Sequence, residues 1–266
     1  MIHSKILKIC EQKLKYFNYS NRTIDIYLHY IVKFLEITNK YPQHITSHDF
    51  QHYLDIYDFT SISQQNQIIN AIKFLYTHGL GKKYDKVCFK RPRKEKHLPR
   101  VISKDIIIEK INAIPNLKHK AILQLAFSVG LRRSEVCNLK ITDIDSKSNR
   151  IFIYNAKGNK DRIVPLSNNV LQTLREYYKA YKPQKYLFNG QFSEKYSPES
   201  CNQIYKKYID TSTSFHNLRH SSFTSMLESG IDLRLIQKIA GHTNIKTTTI
   251  YTHVTDTMFD KINLPI

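Results

Sequence analysis

The sequence lacks the features of several large classes of protein. No apolar run reaches the roughly 18 residues that a membrane-spanning helix requires, and residues 1–10 lack the apolar core of a signal peptide. The four cysteines, Cys10, Cys88, Cys137 and Cys201, are isolated along the chain and form no CxxC pair. We therefore expect a cytoplasmic protein with reduced thiols and no association with a membrane.

Motifs for metals and nucleotides are also missing. The chain has 12 His but no HExxH motif, no Asp/Glu cluster with metal-ligand spacing and no P-loop glycine pattern. His216 and His220, four residues apart on one expected helical face, are the one candidate pair of metal ligands. We predict that the protein uses no metal, no ATP and no other cofactor.

Acidic residues are few compared with basic ones. The chain has 22 Asp and Glu against 41 Lys and Arg, which gives a formal charge of +19. An excess of this size favours a polyanion as partner, with nucleic acid as the first candidate. A basic surface kept for solubility, or the codon bias of an AT-rich genome, would give the same excess, so charge alone does not decide.

Glycine and proline are scarce, with 7 Gly and 8 Pro in 266 residues, and 41% of the residues are hydrophobic. This composition is typical of a folded chain, and its length suits two modest domains. Charged residues and two prolines interrupt the apolar pattern between Lys82 and Arg100. We place a helical domain at residues 1–84, a basic linker at 85–100 and a second domain at 101–266.

Apolar spacing in the first domain predicts helices. One helical pattern starts at Ser20, Thr46 and Asp49 resemble a capping pair at the start of the next, and Ser63 opens a third that runs toward Gly79.

The second domain combines helices with a small sheet. A buried helix is expected to end at Gly130. Residues 149–167 read as two short strands around a Gly/Asn turn, in which the apolar positions are Ile151, Ile153, Ile163 and Leu166. Overall we predict a mainly α-helical protein whose second, α+β domain contains a small antiparallel sheet.

Four polar segments interrupt the apolar helices of the second domain. They are GLRRSEV (130–136), NAKGNKDR (155–162), FHNLRH (215–220) and GHTNIKTTTIYTHV (241–254). Each is weak evidence alone, but together and in this order they resemble the conserved boxes of the tyrosine recombinases, or phage integrase family. The resemblance covers residues 101–260 most strongly and implies a helical core-binding domain before the catalytic domain.

The resemblance implies an active site that cuts DNA without a metal. Its expected residues are Arg132, Lys157, His216, Arg219, His242 and the nucleophile Tyr251, with Glu135 in support. The two arginines would bind the scissile phosphate, with His242 as a further donor. His216 would assist Tyr251, and Lys157 would protonate the departing 5′-oxygen.

The resemblance also implies how DNA would be held. The two domains would close around a duplex that carries a specific target site, and a tetramer would exchange strands between two such sites, with or without a partner recombinase or accessory protein. The expected phosphate contacts in the linker region are Lys90, Arg91, Arg93, Lys94, Lys96 and Arg100. The apolar tail at residues 262–266 would pack on its own domain or dock into a neighbouring protomer.

Two alternatives stay open from the sequence. A type IB topoisomerase shares this chemistry but relaxes supercoils as a monomer. A non-catalytic DNA-binding protein could retain the same fold and charge.

Overall fold

The computed structural model describes residues 2–82, 91–93, 100–156, 160–242 and 244–252. The chain divides into two units, Met1–Lys96 and His97–Ile266. None of the helices in the described ranges is long and apolar enough to cross a bilayer.

The first unit is helical, as predicted. Its helices are α1 (Ile2–Tyr16), α2 (Asn21–Thr38), α3 (Ser47–Ile56) and α4 (Ile62–Phe74), and α4 continues into a π-helical turn at Leu75–Gly79. Thr46 and Asp49 form the expected capping box at the start of α3. The predicted start of α4 at Ser63 is wrong, because Ser61 caps this helix by accepting a hydrogen bond from the Gln64 backbone N–H.

Aromatic and aliphatic side chains fill the core of the first unit. Phe34 of α2 stacks on Phe50 of α3 with ring centroids 4.6 Å apart, and Tyr53 meets Phe34 edge-on at 5.2 Å. Ile68 and Ile72 of α4 are buried in the same cluster. Packing alone therefore accounts for this core.

The second unit surrounds a small sheet with helices. Its elements are α5 (Lys104–Asn112), α6 (Leu117–Val129), α7 (Arg133–Asn138), β1 (Ile144–Asp145), β2 (Arg150–Ala156), β3 (Lys160–Pro165), α8 (Asn168–Tyr181), α9 (Pro198–Tyr208), α10 (His216–Glu228) and α11 (Leu233–Ala240). Short 3₁₀ turns follow at Ile245–Thr247 and Thr249–Tyr251.

The sheet corrects two predictions. In the described residues it has three antiparallel strands in the order β1-β2-β3, one more than expected. The expectation that Ile163 faces the core is also wrong, because Ile163 is 52% exposed while Val164 and Leu166 are buried. Val164 pairs with the buried Ile151, and side chains alternate between the faces of a strand, so β3 turns its even-numbered residues inward.

Two cysteines that are isolated in sequence meet in the fold. Cys137 of α7 and Cys201 of α9 are buried free thiols whose Sγ atoms are 3.5 Å apart. The contact helps to pack α7 against α9 in the core of the second unit.

Candidate active site

Helix α10 brings a buried arginine to the centre of the second unit. Arg219 is only 1% exposed, and its guanidinium donates hydrogen bonds to the carbonyl oxygens of Gly130 and Ala240. Its Nη2 also lies 3.0 Å from Nε2 of His242. Arg219 therefore joins the ends of α6 and α11, where two of the polar segments singled out in the sequence begin. Burial and the neighbouring Arg132 lower the pKa of Arg219 to about 9, which leaves it charged at neutral pH.

The backbone at the end of α6 is shaped for this arginine. Gly130 has a φ of +62°, and a Cβ at this position would lie 2.6 Å from the ring of Phe223. The same ring lies 4.6 Å below the Arg219 guanidinium carbon. A glycine is thus needed for both the turn and the close approach of Phe223.

Glu135 organises Arg132. Its carboxylate accepts hydrogen bonds from the Arg132 backbone N–H at 2.8 Å and from Arg132 Nη1 at 2.7 Å, as the N3 residue of α7 should. The same carboxylate accepts two more from Arg162 of β3. Burial raises the pKa of Glu135, but Arg162 and Arg132 together lower it to about 2. Glu135 is therefore a buried carboxylate shared by two arginines.

His242 is held between Arg219 and a buried threonine. Its Nδ1 lies 2.9 Å from Oγ1 of Thr248. Burial, Arg219 and Arg132 lower the pKa of His242 to about 4, so it is neutral at pH 7. Because a guanidinium can only donate, Nε2 accepts from Arg219 and Nδ1 carries the proton toward Thr248. For the predicted donation to a phosphate, Nε2 would have to gain a proton.

Tyr251 lies inside this cluster rather than on the surface. It is 2% exposed, and its ring meets Phe223 edge-on at 5.5 Å. Its hydroxyl oxygen is 3.2 Å from Nδ1 of His220. Burial raises the pKa of Tyr251, while the charges of Arg219 and Arg132 act in the opposite direction.

His220, which the sequence suggested only as half of a metal-ligand pair, is therefore within hydrogen-bond distance of the Tyr251 hydroxyl. The ring of His216, the predicted assistant, contacts that of His220 edge-on, with ring centroids 4.7 Å apart. Burial, His216 and Arg219 lower the pKa of His220 to about 4, so it is neutral at pH 7. A neutral imidazole has one nitrogen able to accept the phenol proton. Within the described residues, no group of three or more His, Cys, Asp or Glu side chains could hold a metal ion.

Some of the remaining predicted residues are not described by the structure. Lys157, Lys90, Lys94 and Lys96 lie outside the described residues.

Arg91, Arg93 and Arg100 are described and exposed. The guanidinium of Arg91 donates to the side-chain oxygens of Asn66 and Asn70 at 2.6 and 2.7 Å. Arg100 borders a cavity of about 500 Å³ whose lining includes His216 and His220, beside the candidate site.

Sequence profiles of known families match both parts of the chain. The profile of the phage integrase family matches residues 102–258, and that of the phage integrase N-terminal SAM-like domain matches residues 6–86. The chain belongs to the phage integrase family. Tyrosine recombinase XerA of Pyrococcus horikoshii is 35% identical to this family member over 265 residues, covering 96% of this chain and 91% of that protein.

Solved structures share the fold of this chain. A crystal structure of XerA recombinase matches with a TM-score of 0.56 and 28% identity, covering 97% of this chain and 96% of the other. XerH site-specific recombinase, solved with a palindromic difH substrate after cleavage, matches with a TM-score of 0.74 and 20% identity, covering 97% and 83%. The predicted family, fold class and enzyme class, a site-specific DNA recombinase, are confirmed. The roles of individual residues and the domain boundaries stay predictions.

Sequence reasoning missed four members of the cluster: Arg162, His220, Phe223 and Thr248. The signal for Arg162 was present, because Arg162 alternates with the buried Val164 of β3 and with the buried Leu166 that follows the strand. The prediction that Ile163 faces inward placed Arg162 on the exposed face of the strand instead.

Proposed function

We propose that Tyr251 is the nucleophile with which this recombinase cleaves and rejoins double-stranded DNA. The observation that carries the proposal is the position of Tyr251, whose hydroxyl meets His220 inside a cluster held together by Arg219. Any buried tyrosine hydroxyl needs a hydrogen-bond partner, but the partner of Tyr251 is an imidazole that can accept its proton, and two arginines lie nearby. The positive charges nearby favour both the phenolate and a bound phosphate.

In the cleavage step, Tyr251 Oη forms a bond to phosphorus and the bond from phosphorus to the 5′-oxygen breaks. The phenol proton passes to Nδ1 of His220, and the departing 5′-oxygen takes a proton from Lys157, whose role rests on the family resemblance. The product is a 3′-phosphotyrosyl link and a free 5′-hydroxyl. Because one phosphodiester replaces another, attack by a 5′-hydroxyl can reverse the step without ATP.

Arg132 and Arg219 would stabilise the charge that builds on the phosphate oxygens. A guanidinium group is a planar cation whose geometry suits hydrogen bonds to phosphate oxygens. Glu135 neutralises part of this charge when DNA is absent and keeps Arg132 in place. Preorganised donors of this kind contribute most of their effect in the transition state.

Double-stranded DNA with a specific site is the proposed partner. The charge of +19 and the DNA complex of the structurally similar XerH support this partner. We further propose a tetramer that joins two sites through a Holliday junction in the cytoplasm, with or without an accessory protein.

Covalent trapping tests the nucleophile. The protein is incubated with fragmented DNA from its source, denatured with detergent, and the DNA that stays attached to protein is sequenced. We expect adducts that share one sequence, and their complete loss in Tyr251→Phe. Tyr178→Phe, which changes an exposed tyrosine of α8, is the matched control and should behave as wild type.

Adducts that persist in Tyr251→Phe would contradict the proposal.

The topology of the DNA products separates recombination from topoisomerase activity. Joined or inverted segments between two recovered sites indicate a recombinase, whereas relaxed circles alone indicate a topoisomerase.

A further inference from the structure

Arg162 places a guanidinium where the strand pattern would put an apolar side chain. It pairs with the buried Ile153 in the β2–β3 register and shares the inward face of β3 with Val164. Its side chain is only 7% exposed. Burying a charge costs free energy unless the charge is paired and hydrogen-bonded, so this side chain needs partners.

The partners of Arg162 lie on two different helices. Its Nη1 and Nη2 donate to Oε1 and Oε2 of Glu135 in α7, at 2.9 and 2.8 Å. Its Nε donates to the carbonyl oxygen of Ile239 in α11 at 2.7 Å. Only the planar fork of an arginine can serve both directions at once, because a lysine has a single nitrogen at the end of its chain.

Each of these contacts lies next to a proposed catalytic residue. Arg162 binds the same Glu135 carboxylate that accepts hydrogen bonds from the backbone N–H and the guanidinium of Arg132. On the other side, Gly241 packs directly on Arg162, since a Cβ at Gly241 would lie 3.0 Å from Arg162 Cδ. Gly241 immediately precedes His242. The arginine thus contacts the support of Arg132 and the support of His242.

We propose that Arg162 is a positioning residue that fixes Arg132 and His242 relative to each other for attack on the scissile phosphate. The inference rests on the proposed function, because it assumes that Arg132 binds the phosphate. Arg162 touches no reacting atom. It acts by setting the orientation of the Glu135 carboxylate and the path of the backbone that leads from Ile239 into His242.

A double-mutant cycle tests the link without any DNA. The unfolding equilibrium is measured for wild type, Arg162→Gln, Glu135→Gln and the double variant. We expect the two changes to be coupled by about tenfold in the unfolding equilibrium constant, since both groups are buried and share two hydrogen bonds. Additive effects would overturn the proposal.

Cleavage of two substrates separates positioning from general stability. The substrates are duplexes with the site recovered by trapping, one with a normal scissile phosphate and one with a neutral methylphosphonate. A neutral centre needs less help from Arg132, because less negative charge builds on its oxygens. We expect Arg162→Gln to slow single-turnover cleavage of the phosphate by about 100-fold but that of the methylphosphonate by less than about tenfold.

Arg162→Lys keeps the positive charge and serves as a second variant in case Arg162→Gln does not fold. We expect it to show the same selective loss, because lysine lacks the planar guanidinium. Arg175→Gln, an exposed change in α8, is the matched control and should leave both rates unchanged. Equal losses on both substrates, or no loss on the phosphate, would overturn the proposal. If wild type forms no covalent adduct at all, the proposed function fails instead, and the double-mutant cycle alone decides whether Arg162 orders the cluster.

Discussion

The two units bury different kinds of side chain. In the described part of the first unit, the buried residues are aliphatic, aromatic or, at Cys10, a thiol. The second unit buries polar and charged groups as well, including Glu135, Asp143 and Arg219. An apolar core needs no explanation beyond packing, whereas a buried charge is costly unless its partners are also built in.

The partners are built in around the proposed nucleophile. Arg219 is held by two backbone carbonyls and His242, and Glu135 is held by two arginines. The contrast shows that the first unit buries an apolar core, whereas the second also buries the charged cluster that we propose as the active site. Substitutions in the two units should therefore fail in different ways.

Among the changes compared here, Arg219→Lys should lower the rate of DNA cleavage the most. A lysine keeps the charge but cannot contact both carbonyls and His242, so we expect a loss of about 1,000-fold in single-turnover cleavage of the recovered site. Phe34→Leu in the first unit should cost about 1 kcal/mol of stability and leave the cleavage rate within twofold. Circular dichroism checks that both variants are folded. Cleavage by Arg219→Lys at the wild-type rate would refute the assigned role.

Low pH should remove the contribution of the charged Glu135 carboxylate to stability. The pKa of Glu135 is about 2 in the folded protein and about 4.5 when unfolded, so its contribution to stability is present above pH 4.5 and is lost as the pH falls toward 2. The contribution is at most about 3 kcal/mol. Denaturant unfolding at pH 7 and pH 3 should show a steeper loss in wild type than in Glu135→Gln. Identical pH dependence in the two proteins would mean that Glu135 is not held as a charged group.

A pair of glycines tests the backbone beside Arg162. Gly230 and Gly241 both follow helices with positive φ, so alanine strains each of them similarly. Only a Cβ at Gly241 would meet Arg162, whereas a Cβ at Gly230 has open space. We expect Gly241→Ala to slow cleavage about tenfold more than Gly230→Ala at a comparable loss of melting temperature. Equal rates would show that the contact with Arg162 has no catalytic consequence.

The smallest expected effect is a change in the salt dependence of DNA binding. Arg100 is exposed beside the cavity that His216 and His220 line, so we expect its charge to contact a phosphate of bound DNA. Arg100→Gln in a Tyr251→Phe background should make the slope of log K against log salt shallower by about 0.9. Arg175→Gln should leave the slope unchanged. Filter binding between low and moderate salt measures both, and an unaltered slope in Arg100→Gln would remove this residue from the DNA interface.

Sequence patterns predicted the helices and most of the proposed site. Gly130 ends a helix as expected, because glycine adopts positive φ without strain. Arg132, Arg219, His242 and Tyr251 could be named because the segments that contain them resemble the conserved boxes of the phage integrase family. The inward face of β3 could not be read correctly, because Ile163 and Val164 are both suitable strand residues and only pairing with β2 decides between them.

The sequence by itself determined the class of fold, the positive charge and the residue types available for the chemistry, because these follow from local spacing and composition. Only the tertiary structure decided which histidine meets Tyr251 and which arginine shares Glu135 with Arg132. His220 and His216 lie one turn apart on the same helix, and Arg162 reaches Glu135 across 27 positions of sequence. Such contacts depend on how helices and strands pack, which local spacing does not specify.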